Sequence, residues 1–354
     1  MQNFASDLEL FTRLPVLLYP DQETPPYTPL SPDKAGTATR LSTLSRLRNG
    51  ERFILVASIS SLQRRILPPA VLADCAEYLE AGEDFDQQEL AGRLTRMGYE
   101  KVALVQSAGN FSLRGGIIDL YPPPFLTGSG SLCDAPLRID FFGDTIESLR
   151  LFDPVSQRST DEISDATLLP VSDILLSPER TEQRRLSRLY AEKSEELDWE
   201  SGETHRLMEN SNEGVRFPGM EFFLPFYCET ELATLFDALP ANCLLTLIDP
   251  GDVREAMGLA EERVRANFQT AHLARTPALP PEQLFLSPKE MTTALARFRR
   301  IDINDFPKEG EQLLSTPAGT SSSSRRSSSN DPKSACSPPS LIRSMSGGIG
   351  ENGW

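Results

Sequence analysis

The chain has 354 residues, with 35 Lys and Arg against 51 Asp and Glu, a formal net charge of −16, 39% hydrophobic residues and 8% aromatic ones. That length accommodates two or three domains of roughly 100–200 residues, each able to bury an ordinary core without metals or disulfides. The acidic balance excludes nucleic-acid binding through net charge alone, which needs a basic face and released counterions. Cys75, Cys133, Cys228, Cys243 and Cys336 are scattered, with no CxxC pair. They suit a reducing compartment and exclude a disulfide framework and a zinc knuckle. His205 and His272 are the only histidines, which removes most metal sites and Ser-His-Asp triads. No apolar run approaches about 18 residues, and the start lacks the charged-then-apolar order of a signal peptide. The expected location is cytoplasmic, with no membrane contact.

In chain order, the short apolar runs Val16–Tyr19 and Phe53–Ala57 read as buried parallel strands. A Pro-rich connection and a helix over Thr39–Leu47 lie between them, and a second helix, Ser60–Leu67, stops before Pro68-Pro69. Residues 87–178 follow as a second block. A helix, Gln88–Met97, leads through Gly98 to strands at Val102–Val105, Gly116–Tyr121, Leu137–Phe142 and Thr145–Phe152. The third block, 179–310, begins with a helix over Glu182–Leu197. It ends with the strand Leu244–Ile248 and a long helix to about Leu273 that Asp252 can cap. Near residue 315 composition changes abruptly: the last 40 residues hold 13 serines. Such a stretch buries too little apolar surface to offset ordering entropy, so 311–354 is expected to be disordered.

The most informative passage is Leu137–Arg150, LRIDFFGDTIESLR. Gly143-Asp144 between two alternating runs signals a two-residue hairpin with Gly at a positive φ. A regular ladder from that turn sets Phe142 opposite Thr145, Phe141 opposite Ile146, Asp140 opposite Glu147, Ile139 opposite Ser148 and Arg138 opposite Leu149. One face then gathers Leu137, Ile139, Phe141 and Ile146, enough for a buried side. The other carries Arg138, Asp140, Phe142, Thr145, Glu147 and Leu149. Two carboxylates opposed across strands cost up to about 1 kcal/mol, and an exposed Phe beside an Arg is the composition of an interface hot spot. The pattern admits two readings: a protein interface, or a face covered by a helix with Arg138 neutralising the carboxylates.

Residues 109–122, GNFSLRGGIIDLYP, resemble the "GEFSVRGGIIDIFP" signature shared by the excision-repair protein UvrB and the bacterial transcription-repair coupling factors, the Mfd family. The hairpin and its continuation through Phe152-Asp153 and Ser156–Ser159 look like the same family's next strands. Tyr19–Tyr27, Arg40–Leu44 and Ser58–Arg65 are more similar to the coupling factors than to UvrB. The resemblance covers roughly residues 8–300 and implies the family's N-terminal, UvrB-like region, with the chain expected to be truncated at both ends. The implied fold is α/β: an incomplete parallel-sheet lobe (1–86), an inserted α+β UvrA-binding module (87–178), the remainder of the lobe (179–310) and the tail.

The resemblance also implies a partner, the excision-repair ATPase UvrA. The family's contacts fall on the Arg of the "RGG" turn and the Arg and Phe of the "RIDFF" strand, here Arg114, Arg138 and Phe142. Asp140 and Glu147 would orient Arg138 or meet basic groups on the partner. Asn110 stands where the family has Glu. In the longer family members RNA polymerase and DNA are bound through other regions, and the whole protein is an ATP-driven DNA translocase.

No G-x-x-x-x-G-K-[ST] or Walker B box occurs in this sequence, so no cofactor and no ATPase activity are expected. The acidic pairs Glu195-Glu196 and Glu261-Glu262 read as solvated helix faces. Arg64-Arg65, Arg93 with Arg96, and Arg184-Arg185 with Arg188 are too few for more than weak DNA binding. The reading is therefore non-catalytic recognition of UvrA. Two alternatives stand beside it: a relic of a broken gene, and a fragment of a translocase whose motor is encoded elsewhere.

Overall fold

Strand β1 (Val16–Tyr19) runs parallel to β2 (Ile54–Ala57), pairing Val16 with Ile54 through Tyr19 with Ala57. The computed structural model in which these strands lie describes residues 2–304. The connection between them carries a helix, Lys34–Arg48. It starts five residues before the expected Thr39 because the Asp33 carboxylate accepts the Gly36 N–H and so caps the first turn. Its Leu41, Leu44 and Leu47 pack with Tyr19, Leu72 and Leu235 in one small core. The helix expected over 60–67 is cut to Ile59–Gln63. Beyond it Arg64 bridges to Phe285 and Ile66 to Ala233, and these pairings to distant segments prevail over local helix formation.

The middle of the chain forms a sheet module. In order, its strands are β3 (Glu77–Glu80), β4 (Glu100–Lys101), β5 (Asn110–Arg114), β6 (Ile117–Leu120), β7 (Phe125–Leu126), β8 (Leu132–Cys133), β9 (Leu137–Phe142), β10 (Thr145–Phe152), β11 (Ser159–Ile163) and β12 (Asp165–Leu168). Six of them make one sheet, in the order β11-β10-β9-β6-β5-β4, while β3 pairs antiparallel with β12 and so joins the two ends of the module. The helix Gln87–Arg96, capped by Asp86, lays Leu90, Ala91 and Leu94 against the sheet. The expected strand at Val102–Val105 is not formed. The ladder with β5 ends there, and the sheet takes Asn110–Arg114 instead. The alternation of β5, β6, β9 and β10 is what makes a core: Phe111, Leu120, Leu137 and Leu151 form one apolar row across the sheet, and Leu113, Ile118, Ile139 and Leu149 the next. Each such side chain, where fully buried, contributes about 1.5–3 kcal/mol.

The third part begins with helices Arg180–Leu197 and Ser201–Glu213, joined through Asp198 in the left-handed region. They enclose an aromatic core in which Tyr190, Phe217, Phe223 and Phe226 meet edge-on or tilted, with Trp199 against Phe223. A 3-10 turn at Met220–Phe226 supplies two of these rings, Phe223 and Phe226. Its Phe222 ring lies 5.1 Å from the Arg64 guanidinium. Strand β13 (Leu244–Ile248) then pairs in parallel with β14 (Arg299–Ile303). The long helix between them runs Pro250–Leu273. It is preceded by Asp249 in the left-handed region and has no side-chain cap, so Asp252 lies inside the first turn and is not the capping residue.

The module is tied to its neighbours by a buried polar network. Arg40 on the Lys34–Arg48 helix pairs with Asp173 at 3.0 Å, and the two side chains are 6% and 10% exposed. Gln22 donates to the same carboxylate at 3.2 Å and accepts from Arg64, which also donates to the Glu221 carbonyl at 2.9 Å. A pair this dry contributes little net stability, but either partner alone would be an uncompensated charge. Burial lowers the Arg64 pKa from its usual value, and it raises that of the Glu221 carboxyl. Among the described residues no helix is long and apolar enough to cross a membrane. The serine-rich tail and Cys336 lie outside the described residues.

Candidate functional site: one end of the module sheet

The hairpin turn forms as its sequence predicts: Gly143 has φ +64° and Phe142 pairs with Thr145, then Phe141 with Ile146. The regular ladder expected beyond that point does not hold. A β-bulge at Glu147 shifts the register, so that Ser148 faces Asp140, Leu149 faces Ile139 and Arg150 faces Arg138. Asp140 and Glu147 are therefore not opposed, and Leu149 turns from the outer face into the core. Two effects favour the shift. Burying Leu149 gains about 2 kcal/mol, and separating the carboxylates avoids up to about 1 kcal/mol.

With the bulge in place, the outer face consists of three rows. The first runs Ser112, Asp119, Arg138, Arg150 and Glu162 across β5, β6, β9, β10 and β11. Arg138 donates to both oxygens of Asp119, at 2.7 and 3.0 Å, and its guanidinium lies 5.0 Å from the Phe152 ring. Longer contacts reach the Gln157 carbonyl and the Ser159 hydroxyl. The Asp119 hydrogen bonds raise the Arg138 pKa above its ordinary value, and the side chain is 19% exposed. The partners are the neighbouring strand and the loop after β10, and the carboxylate that Arg138 neutralises is Asp119, not Asp140 or Glu147.

The second row is Arg114, Ile117, Asp140 and Ser148. Asp140 is nearly buried and accepts from Arg150 Nε at 3.0 Å and from the Ser148 hydroxyl at 3.0 Å. Its charge is thus spent within the sheet. Arg114 is exposed, and its guanidinium donates to the Ala103 carbonyl, in the segment expected as a strand. The third row is Phe142 and Thr145, with Glu147 exposed at the bulge beside them. Phe142 is 79% exposed. Thr145 donates to Asp84 at 2.7 Å, and the Ile146 N–H donates to the Glu83 carbonyl, which fixes the hairpin end to the 82–85 segment.

Both tight turns of this sheet open at the same end. The Gly115-Gly116 turn places Arg114 next to Ile117, and Gly116 has to be glycine: a Cβ there would sit 2.9 Å from the Phe141 carbonyl oxygen, and the Phe141 N–H donates to the Gly116 carbonyl. So Arg114, Phe142 and Glu147 stand exposed toward this end, while Arg138 and Asp140 are held in ion pairs, Asp140 in the same row as Arg114 and Ile117. Sequence reasoning missed Ile117, Arg150 and Asp119. Asp119 was legible only as part of the motif, because its partner lies 19 residues on across a strand pairing.

The family model described as the UvrB interaction domain matches residues 78–173, which is this sheet with its helix. Curated relatives extend the likeness beyond it. The transcription-repair-coupling factor of Myxococcus xanthus is 37% identical over 294 residues, 81% of this chain and 24% of that protein. That of Haemophilus influenzae is 30% identical over 286 residues, again 81% and 24%. That of Escherichia coli K12 is 28% identical over 307 residues, 86% and 25%. The chain matches the N-terminal region of the transcription-repair-coupling factor family. It spans about a quarter of the length of the relatives it matches. Those coupling factors share with it both the sheet module and the flanking segments, since the matched lengths far exceed the module alone.

Proposed function

We propose that the open end of the module sheet binds UvrA and that the chain acts by recognition, without catalysis, in transcription-coupled repair. One observation carries the reading: the exposed Arg114 and Phe142, which the family motif marks as contacts, converge on one end of one sheet with Phe142 79% exposed. A large aromatic left in water at the same end of a sheet as an exposed arginine, with Ile117 on the strand between them, has the make-up of an energetic hot spot. In this proposal Arg114, Phe142 and Glu147 touch the partner. Arg138 offers its exposed edge while held by Asp119, and Asp140 positions Arg150.

The module, closed by β3 and β12, is proposed as an insertion in a UvrB-like lobe built from the segments on either side. DNA and RNA polymerase, which the resemblance assigns to other regions of the longer proteins, are not proposed as partners of this surface. Because UvrB and the coupling factors would dock on UvrA through the same module, the two should compete. Excess chain added to a preformed UvrA–UvrB complex is expected to displace UvrB and co-elute with UvrA. UvrB retained on UvrA by a folded, saturating chain contradicts the proposal.

A further inference from the structure

The second unusual surface lies on β13 and β14, far in sequence from the module. Parallel strands are ordinarily covered on both faces and flanked on both edges. Here one face packs Leu245 and Leu247 against Met257, Met291, Leu295 and Phe298. The other exposes Leu244, Ile248, Ile301 and Ile303, each between 42% and 52% exposed. Among the described residues no strand pairs with the far edge of β14. That edge carries no proline and no bulge, and the charges it does carry, Arg300 and Asp302, are of opposite sign and so do not by themselves exclude a neighbour of matching order.

The backbone sets which residues could bind there. The Asp249 N–H donates to the Ile303 carbonyl at 2.7 Å, so Ile303 directs its polar groups toward β13. With a period of two, Ile301 and Arg299 do the same, and Arg300 and Asp302 direct theirs to the free edge. An antiparallel neighbour of identical sequence can then hydrogen-bond in three two-fold registers. Arg300 opposite Arg300 and Asp302 opposite Asp302 are repulsive. The third sets Arg300 opposite Asp302 and Asp302 opposite Arg300, with Ile301 facing Ile301 across the axis.

We infer that this chain pairs with a second copy of itself, antiparallel through the free edge of β14 and centred on Ile301, to give a four-stranded sheet β13-β14-β14-β13. The pairing is isologous, so each contact occurs twice. Within one copy Arg300 and Asp302 already bond to each other, Nε to Oδ1 at 2.8 Å, and remain 43% and 34% exposed. In the pair each exchanges that neighbour for the equivalent one across the axis, and no charge is left alone.

The test is sedimentation velocity of the full chain across a concentration series up to its solubility limit. The unmodified chain is expected to dimerise. Arg300→Asp alone and Asp302→Arg alone, each shown by circular dichroism to be folded, are expected to remain monomeric, because each opposes like charges. An equimolar mixture of the two is expected to restore the dimer. In that heterodimer both cross-axis positions again oppose a carboxylate from one variant to a guanidinium from the other. A monomeric unmodified chain would overturn the inference. So would a dimer that survives in both single variants, or a mixture that stays monomeric while the unmodified chain dimerises.

Discussion

Leu149→Ala is expected to destabilise the module by about 2–5 kcal/mol in a denaturant titration, whereas Glu147→Ala is expected to change it by less than about 0.5 kcal/mol. The contrast follows from the bulge. In a regular ladder the two residues would share the outer face and neither truncation would open a cavity. With the register shifted, Leu149 is completely buried among Ile139, Ile163 and the rest of the sheet core, while Glu147 projects into solvent. The spread of the larger figure reflects how far a core can relax around a lost isobutyl group. Similar, small losses for both variants would mean that the bulge does not exist in solution.

Phe142→Ala is expected to lower affinity for UvrA by about 2 kcal/mol, roughly 30-fold, with no fall in unfolding temperature. The two halves of that statement come from the same fact. A ring 79% exposed contributes almost nothing to the module's own core, so its removal leaves the fold intact. A partner that desolvates the ring would lose most of what the ring supplies. Arg138→Ala has a different signature. It strands Asp119, whose side chain is 5% exposed, so stability falls along with binding and the two effects need separate measurement. Phe142 is the cleaner probe for that reason.

Much of this was readable from residue order, for reasons that differ by element. The β1 and β2 runs were legible because they are short and apolar throughout, and their bounds fell within a residue of expectation, although of their residues only Tyr19 is fully buried. The Gly143-Asp144 turn was legible because few residues tolerate its backbone. The bulge three residues later was not, since nothing local distinguishes Glu147 from its neighbours; the shift is decided by the core that Leu149 enters. Val102–Val105 looked like a strand by apolarity, yet of its four residues only Val105 is buried. The segment instead lends the Ala103 carbonyl to Arg114. β5 was overlooked although Asn110–Arg114 alternates polar and apolar residues, because the more continuously apolar Val102–Val105 reads as the strand in its place. At the site, the family motif and the alternation pattern singled out one face, but which of its charges were already paired could only be seen once β6 stood beside β9.

The most direct measurement of the central claim is amide hydrogen exchange of this chain, alone and saturated with UvrA. Strand interiors exchange slowly in either state, so the informative amides are those of the two turns, Gly115-Gly116 and Gly143-Asp144, and of the bulge around Glu147. Exchange is expected to slow at these turns on binding and to stay unchanged along the Arg180–Leu197 and Ser201–Glu213 helices. Protection confined to those helices, or no change at the turns in a saturated complex, would contradict it.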